Sequence, residues 1–195
     1  SLAGTDTLQL SAGSHVFASD ANFKNIETVL ANLAGSSVNL SAQTEGFTIT
    51  GGDGIDTIIG GDGVDIITGG AGNDIITGGA GSDTFNIDSG SDTITDLSAS
   101  DIFVVSNGAT LNATISANYT ATTDAKNDGT ANLTLGTGGL TVDLTSAAGS
   151  KGFNLIGSSG TDTITATGKA DTFTIASSGQ GNLDVLDGAG GADTL

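Results

Sequence analysis

Apolar side chains recur every nine residues through the middle of the chain. Ile58, Ile67, Ile76, Phe85, Ile94 and Phe103 each stand two places after an aspartate, so Asp56, Asp65, Asp74, Asp83, Asp92 and Asp101 share the spacing. Each apolar residue sits in a triplet with Thr, Ile, Asn or Val, which predicts a three-residue strand that turns one side chain inward. Leu40 and Ile49 carry the same register upstream of the first aspartate. Elsewhere the chain alternates as strands do. Leu133-Thr134-Leu135, Leu140 to Leu144 and Phe153-Asn154-Leu155-Ile156 are short and bounded by Gly or Ser. Asn127-Asp128-Gly129 marks a tight turn. The stretch Phe23 to Leu30, followed by Leu33, has a spacing that admits one helical turn. It aligns with a strand-like stretch later in the chain, and strands are the expectation there too.

Between the triplets lie the loops GGDGID (51–56), GGDGVD (60–65), GGAGND (69–74) and GGAGSD (78–83), followed in phase by IDSGSD (87–92) and DLSASD (96–101). Glycine at the first, second and fourth places lets the backbone curl so that carbonyls point inward. Aspartate at the sixth place adds a carboxylate, which suits a hard all-oxygen site for Ca²⁺.

This pattern resembles the G-G-x-G-x-D-x-U-x repeat of the RTX (repeats-in-toxin) family, with four intact copies in a row. The resemblance implies an all-β fold, a right-handed parallel β-roll or β-solenoid with several Ca²⁺ ions between stacked GGxGxD loops. Two repeats make one coil, and alternate loops stack on one edge and share an ion. Asp56, Asp74 and Asp92 then line one edge, and Asp65, Asp83 and Asp101 the other. The expected metal-holding residues are Gly52, Asp53, Gly54 and Asp56, then Gly61, Asp62, Gly63 and Asp65. They continue with Gly70, Gly72, Asn73 and Asp74, and with Gly79, Gly81 and Asp83. Gly90, Asp92 and Asp101 belong to the weaker copies, in which the glycine pair is lost.

Composition sharpens this reading. Acidic residues number 22 against 4 Lys+Arg, a formal net charge of −18, and only Glu27 and Glu45 are not aspartate. The shorter aspartate arm tolerates turns and reaches a cation held by its own loop. Four cations cannot supply a phosphate-binding footprint, which excludes nucleic acid. The same sign argument and the lack of a long apolar run exclude direct membrane insertion. Adjacent coils of a sheet lie ~4.8 Å apart. Two carboxylates at that spacing repel by roughly 3 kcal/mol at an effective dielectric near 20, so the roll is expected to open without cations.

A larger repetition underlies the nonapeptides. Residues 38–58 align with 142–164, and 6–16 with 101–111. Two modules are expected: 1–100, with a β segment (1–50) and nonapeptides (51–100), and 101–195, with a β segment (101–156) and degenerate nonapeptides (157–195). In that second run Gly160, Asp162, Asp184 and Asp193 are further candidate metal positions. Lys169 stands where the repeat has glycine, and its ammonium is expected to replace an ion beside Asp171. The chain begins and ends in mid-pattern and reads as part of something longer.

Catalysis has no visible basis in the sequence. His15 is the only histidine, cysteine is absent, and neither HExxH nor GxSxG occurs. A non-enzyme is expected, built as material: a segment of a large type I-secreted bacterial surface protein, S-layer or adhesin, that folds and assembles on Ca²⁺ at the cell surface. Its expected partners are other copies of itself or cell-surface glycans, bridged by Ca²⁺. The alternative is the C-terminal calcium-folding region of a secreted toxin or hydrolase. Tandem modules favour the first reading, because repeated units build length.

Overall fold

The structure, a computed structural model, describes residues 4–19, 25–31, 35–175 and 184–195. Twenty-one strands and no helix occur among them. The N-terminal coils hold β1 (Thr7–Gln9), β2 (Ser14–Val16), β3 (Thr28–Leu30), β4 (Ser37–Asn39) and β5 (Thr48–Thr50). The repeat region supplies β6 (Thr57–Ile59), β7 (Ile66–Thr68), β8 (Ile75–Thr77), β9 (Thr84–Ile87), β10 (Ser91–Ile94) and β11 (Ile102–Val105). Next come β12 (Thr110–Ile115), β13 (Tyr119–Thr120), β14 (Lys126–Asn127), β15 (Thr130–Leu135), β16 (Thr141–Asp143) and β17 (Ala148–Gly149). The last are β18 (Asn154–Ile156), β19 (Thr163–Thr165), β20 (Thr172–Thr174) and β21 (Val185–Asp187).

Every pairing is parallel, and each strand pairs with one a full coil away. The first sheet runs β1-β3-β5-β7-β9-β11-β14-β17, and the central sheet β2-β4-β6-β8-β10-β12-β15-β18-β20. A third runs β13-β16-β19-β21. Through the repeats, each residue pairs with its equivalent two nonapeptides on: Thr48 with Ile66, Thr57 with Ile75, and Ile67 with Phe85. Two nonapeptides therefore complete one coil. The molecule is a parallel β-solenoid, a β-roll over this stretch.

The inward residue of each triplet builds the core. Ile49, Ile58, Ile67, Ile76 and Phe85 are each fully buried, one per half-coil. Beyond β11 the coil widens to three faces and takes up more chain per turn, so that Val104 pairs with Lys126 and Thr141 with Thr163. Aromatic rings fill the larger cross-section. Phe103 stacks on Tyr119 with ring centroids 6.1 Å apart and meets Phe153 edge-on at 5.9 Å. The buried Tyr119 hydroxyl donates to the Asp101 carbonyl at 3.2 Å, as a buried phenol requires. After β17 the first sheet ends, and the second run of repeats winds between the central and third sheets.

The stretch that admitted a helical turn forms β3 at Thr28–Leu30, with Val29 buried. Its ends at Phe23, Lys24 and Leu33 lie outside the described residues.

Candidate metal centre

The stacked loops on the two edges of the roll hold the candidate site. In loop 69–74, Gly70 and Gly72 adopt φ of 100° and 149°, a region that L side chains avoid. A methyl group on Gly72 would also overlap the Gly54 carbonyl of the coil beneath. The loops stack this closely because the Ala71 amide donates to the Gly52 carbonyl at 2.9 Å, and the Ala80 amide to Gly61 at 3.0 Å on the other edge.

All six sixth-place aspartates are buried, and each uses one oxygen to fasten its coil to the one before. Asp74 Oδ1 accepts from the Asp56 amide (2.8 Å), Asp92 Oδ1 from Asp74 (3.0 Å), and Asp65 Oδ1 from Phe47 (2.8 Å). Asp83 Oδ1 accepts from Asp65 (2.9 Å), Asp101 Oδ1 from Asp83 (3.0 Å), and Asp56 Oδ1 from Ser36.

The second oxygen divides them into two groups. In Asp56 and Asp65 it accepts from the second-place glycine of its own loop, Gly52 (2.8 Å) and Gly61 (2.9 Å). In Asp101 it accepts from Ser98 (2.7 Å). In Asp74, Asp83 and Asp92 it has no hydrogen-bond partner at all. Among the described residues the only other buried side-chain oxygen in that condition is Gln43 Oε1.

Three buried carboxylates, each with an unpartnered oxygen, are electrostatically costly. Burial pushes the Asp83 carboxyl up to about 7, and the carboxylates of Asp101, Asp65 and Asp96 add to the rise, against the Asp65 amide. Burial likewise takes Asp92 to about 7, with Asp74 and Asp88 contributing. Asp74 is raised by burial, with Asp56 and Asp88 adding to it. No basic side chain answers them: the one ion pair among the described residues is Lys126 with Asp128, at 2.6 Å.

Buried carboxylates with an unpartnered oxygen, in loops whose glycine backbones stack coil on coil, offer hard oxygen donors, which is what Ca²⁺ takes. Among the described residues no three His, Cys, Asp or Glu side chains converge as a metal cluster, so the remaining oxygens of a site here would come from loop carbonyls and water. The residues present fit the ion. Asp74, Asp83 and Asp92 would hold it, with carbonyls from the glycine loops 51–54, 60–63 and 69–72 that stack against them.

The family model of the RTX calcium-binding nonapeptide repeat (4 copies) matches residues 50–85, 59–94 and 156–174. The chain carries RTX repeats. No curated protein and no solved structure matches it. RTX repeats wound into a parallel solenoid make this a calcium-binding structural repeat protein.

The RTX loops differ from one another more than their letters do. Asp53, Asp62 and Asn73 are exposed on the loop rims, and Asn73 Oδ1 accepts from the Ser91 amide at 2.9 Å. Gly90, at φ 78°, keeps the loop conformation in a weak repeat where Asp92 still has an open oxygen. Gly54, Gly63, Gly79 and Gly81 lie in the stacked loop walls, where the preceding coil leaves no room for a side chain at Gly63, Gly79 or Gly81.

In the second run the Asp162 amide donates to Asp184 Oδ1 (2.9 Å) and the Asp171 amide to Asp193 Oδ1 (3.0 Å). The second oxygens are closed by hydroxyl residues at the glycine position. Asp162 Oδ2 accepts from the Ser158 amide and hydroxyl (2.9 and 3.2 Å), and Asp171 Oδ2 from those of Thr167 (both 3.0 Å). Gly160 packs against Gly138 in the same stack. Lys169 does not take the part expected of it. Its ammonium pairs with no carboxylate among the described residues, and it is the short Thr167 side chain, one loop-length before Asp171, that has the reach.

Sequence reasoning passed over Asp96, whose carboxylate accepts from the Gly78 and Gly79 amides at 3.0 and 2.8 Å. The signal was present, since Asp96 stands at the first place of its repeat, where glycine belongs.

Proposed function

We propose that this chain is a calcium-stiffened building segment of a large exported bacterial surface protein, of the S-layer or adhesin kind, that completes its fold on meeting calcium outside the cell. The observation that carries this reading is the set of three buried, partnerless carboxylate oxygens in a rod-like stack of coils. Such a rod is unfinished where calcium is scarce and finished where it is plentiful, which suits a protein exported before it folds.

The outer surface of the central sheet supports assembly between copies. Its nine strands turn Ser, Thr, Asn, Ile and Val outward and no charged residue, in a chain of net charge −18. Nine strands at ~4.8 Å make a face about 40 Å long. At roughly 10 Å wide it offers about 400 Å² per copy, half of what a lone stable complex buries. One such contact is weak, and a lattice of them is not. Divalent ions on the acidic edges would let neighbouring rods approach.

Chelating calcium is expected to release the full-length protein from cells or to dissolve its arrays, while monovalent salt of equal ionic strength leaves them intact. Imaging of cells and purified assemblies before and after chelation checks this. Arrays that survive chelation would reject the reading, and so would a full-length chain that proves to be a hydrolase with one block of repeats.

A further inference from the structure

We infer that residues 102–174 form a calcium-independent solenoid, and that calcium is needed only to lay the open loops, 69–94, onto it. This inference concerns the order of folding within the chain and stands whether or not the protein is a surface component.

The open oxygens are confined to three consecutive loops, those of Asp74, Asp83 and Asp92. After them, every buried aspartate is closed by the chain itself. Asp101 is held by Ser98, Asp162 by Ser158 and Asp171 by Thr167, in each case at the oxygen an ion would otherwise satisfy. Ser158 and Thr167 replace the second-place glycine of the repeat. In both loops the hydroxyl adds a second donor to the backbone amide that already reaches the same oxygen, so the buried carboxylate is satisfied without a cation.

The same region carries the broadest packing of the molecule. β12 and β15 pair along their whole length, from Thr110↔Thr130 to Ile115↔Leu135, a longer ladder than any between repeat strands. Leu111, Leu133, Val142, Leu155 and Ile164 are buried beneath them, beside the Phe103, Tyr119 and Phe153 rings. Outside, side-chain amides form a ladder, with Asn132 donating to Asn112 at 2.8 Å and Asn154 to Asn132 at 2.7 Å. None of these contacts involves a candidate metal residue.

In a solenoid each coil touches only its neighbours, so stability can differ along the axis. The edges of β11 and β12 present parallel strands to which β9 and β10 pair. A preformed strand edge is a template for the next strand. Calcium at the open loops removes the repulsion that keeps β8, β9 and β10 from adding, and the coils before them stack on through β7 and β6.

Amide hydrogen exchange on the whole chain, in chelator and in millimolar Ca²⁺, tests this. In chelator, β12, β15, β16 and β18 are expected to stay protected, while β8, β9 and β10 exchange at least ~10-fold faster than with calcium. Loss of protection across 102–174 in chelator would overturn the inference, and so would full protection of 69–94 without calcium. Thr167→Gly removes the hydroxyl from Asp171 but keeps the amide, the arrangement by which Gly52 and Gly61 close Asp56 and Asp65. Protection of β20 is then expected to stay calcium-independent; protection that becomes calcium-dependent would show that an amide alone does not close such a loop and would overturn the inference.

Discussion

A single oxygen atom separates the buried aspartates of the roll, partnered in Asp56, Asp65 and Asp101 and bare in Asp74, Asp83 and Asp92. Asp83 illustrates the balance, because Oδ1 is a rung of the stack and Oδ2 is buried without a partner. Asp83→Asn can keep the rung acceptor while it removes the buried charge, leaving an uncharged amide that costs less to bury unpaired than an anion does. The substitution is therefore expected to raise the urea midpoint in chelator and to lower it in calcium, a reversal that two denaturation curves would display. A shift of the same sign in both would remove Asp83 from the metal site. Protons should act as weak substitutes for calcium. Asp83 and Asp92 have folded values of about 7 against an ordinary 3.8, so between about pH 4 and 7 the folded chain binds more protons than the unfolded one. Their contribution is full below the unfolded value and is lost as pH rises through 7. In chelator the roll is expected to gain stability from pH 8 to pH 5, and calcium affinity is expected to fall over the same interval. Below about pH 4 the trend should reverse, because Asp143, held low by hydrogen bonds from the Thr145 hydroxyl and amide, loses its stabilising charge there. A stability in chelator that rises steadily with pH from 5 to 8 would contradict this.

At the scale of elements, much of the roll was legible because its period is rigid. A strand that must place one residue inward every nine positions leaves Ile58, Ile67 and Ile76 no alternative. The coil of two repeats and the two aspartate edges follow from the same count. Two features were not legible. The third sheet arises where the coil lengthens, and no fixed spacing announces it: the step from Tyr119 to its partner Val142 is longer than the step from Thr110 to its partner Thr130. The sequence offered Leu140 to Leu144 as a strand without indicating which face would take it. The division of loops into open and closed was equally hidden. Residues 51–56 and 69–74 share their glycines and aspartate, yet Gly52 closes on Asp56 while Asp74 stays open. The loops differ at the third and fifth places, Asp53 and Ile55 against Ala71 and Asn73, in the positive φ of Gly70, and in the coil on which each rests: Asp56 is fastened to Ser36, in a coil without the repeat, and Asp74 to Asp56 itself. The hydroxyls of Ser158 and Thr167 could have been noticed, since serine and threonine at a glycine position beside a buried carboxylate are natural donors.

For the molecule as a whole, charge and shape are arranged on different surfaces. The aspartates crowd the loop edges, while the outer face of the central sheet runs from Ser14 to Thr174 without an outward charge. At −18, two copies repel over about 8 Å at physiological ionic strength. The flat face is the approach along which that repulsion is least, provided that calcium has quieted the edges beside it. In the proposed assembly, a charge placed on this face would block the contact and leave the loops alone. Thr134 lies mid-face outside the amide ladder, paired with Ile156, and Thr172 lies in the last strand of the sheet, paired with Asn154. Thr172→Lys and Thr134→Asp, made singly, introduce opposite signs on one surface. Both are expected to reduce calcium-induced self-association at least ~10-fold in sedimentation velocity, with an unchanged circular dichroism response to calcium. Opposite effects from the two charges would point to general electrostatics, because a basic residue should favour contact with so acidic a partner. Loss in both, whatever the sign, is the signature of two uncharged faces that must meet dry and flat.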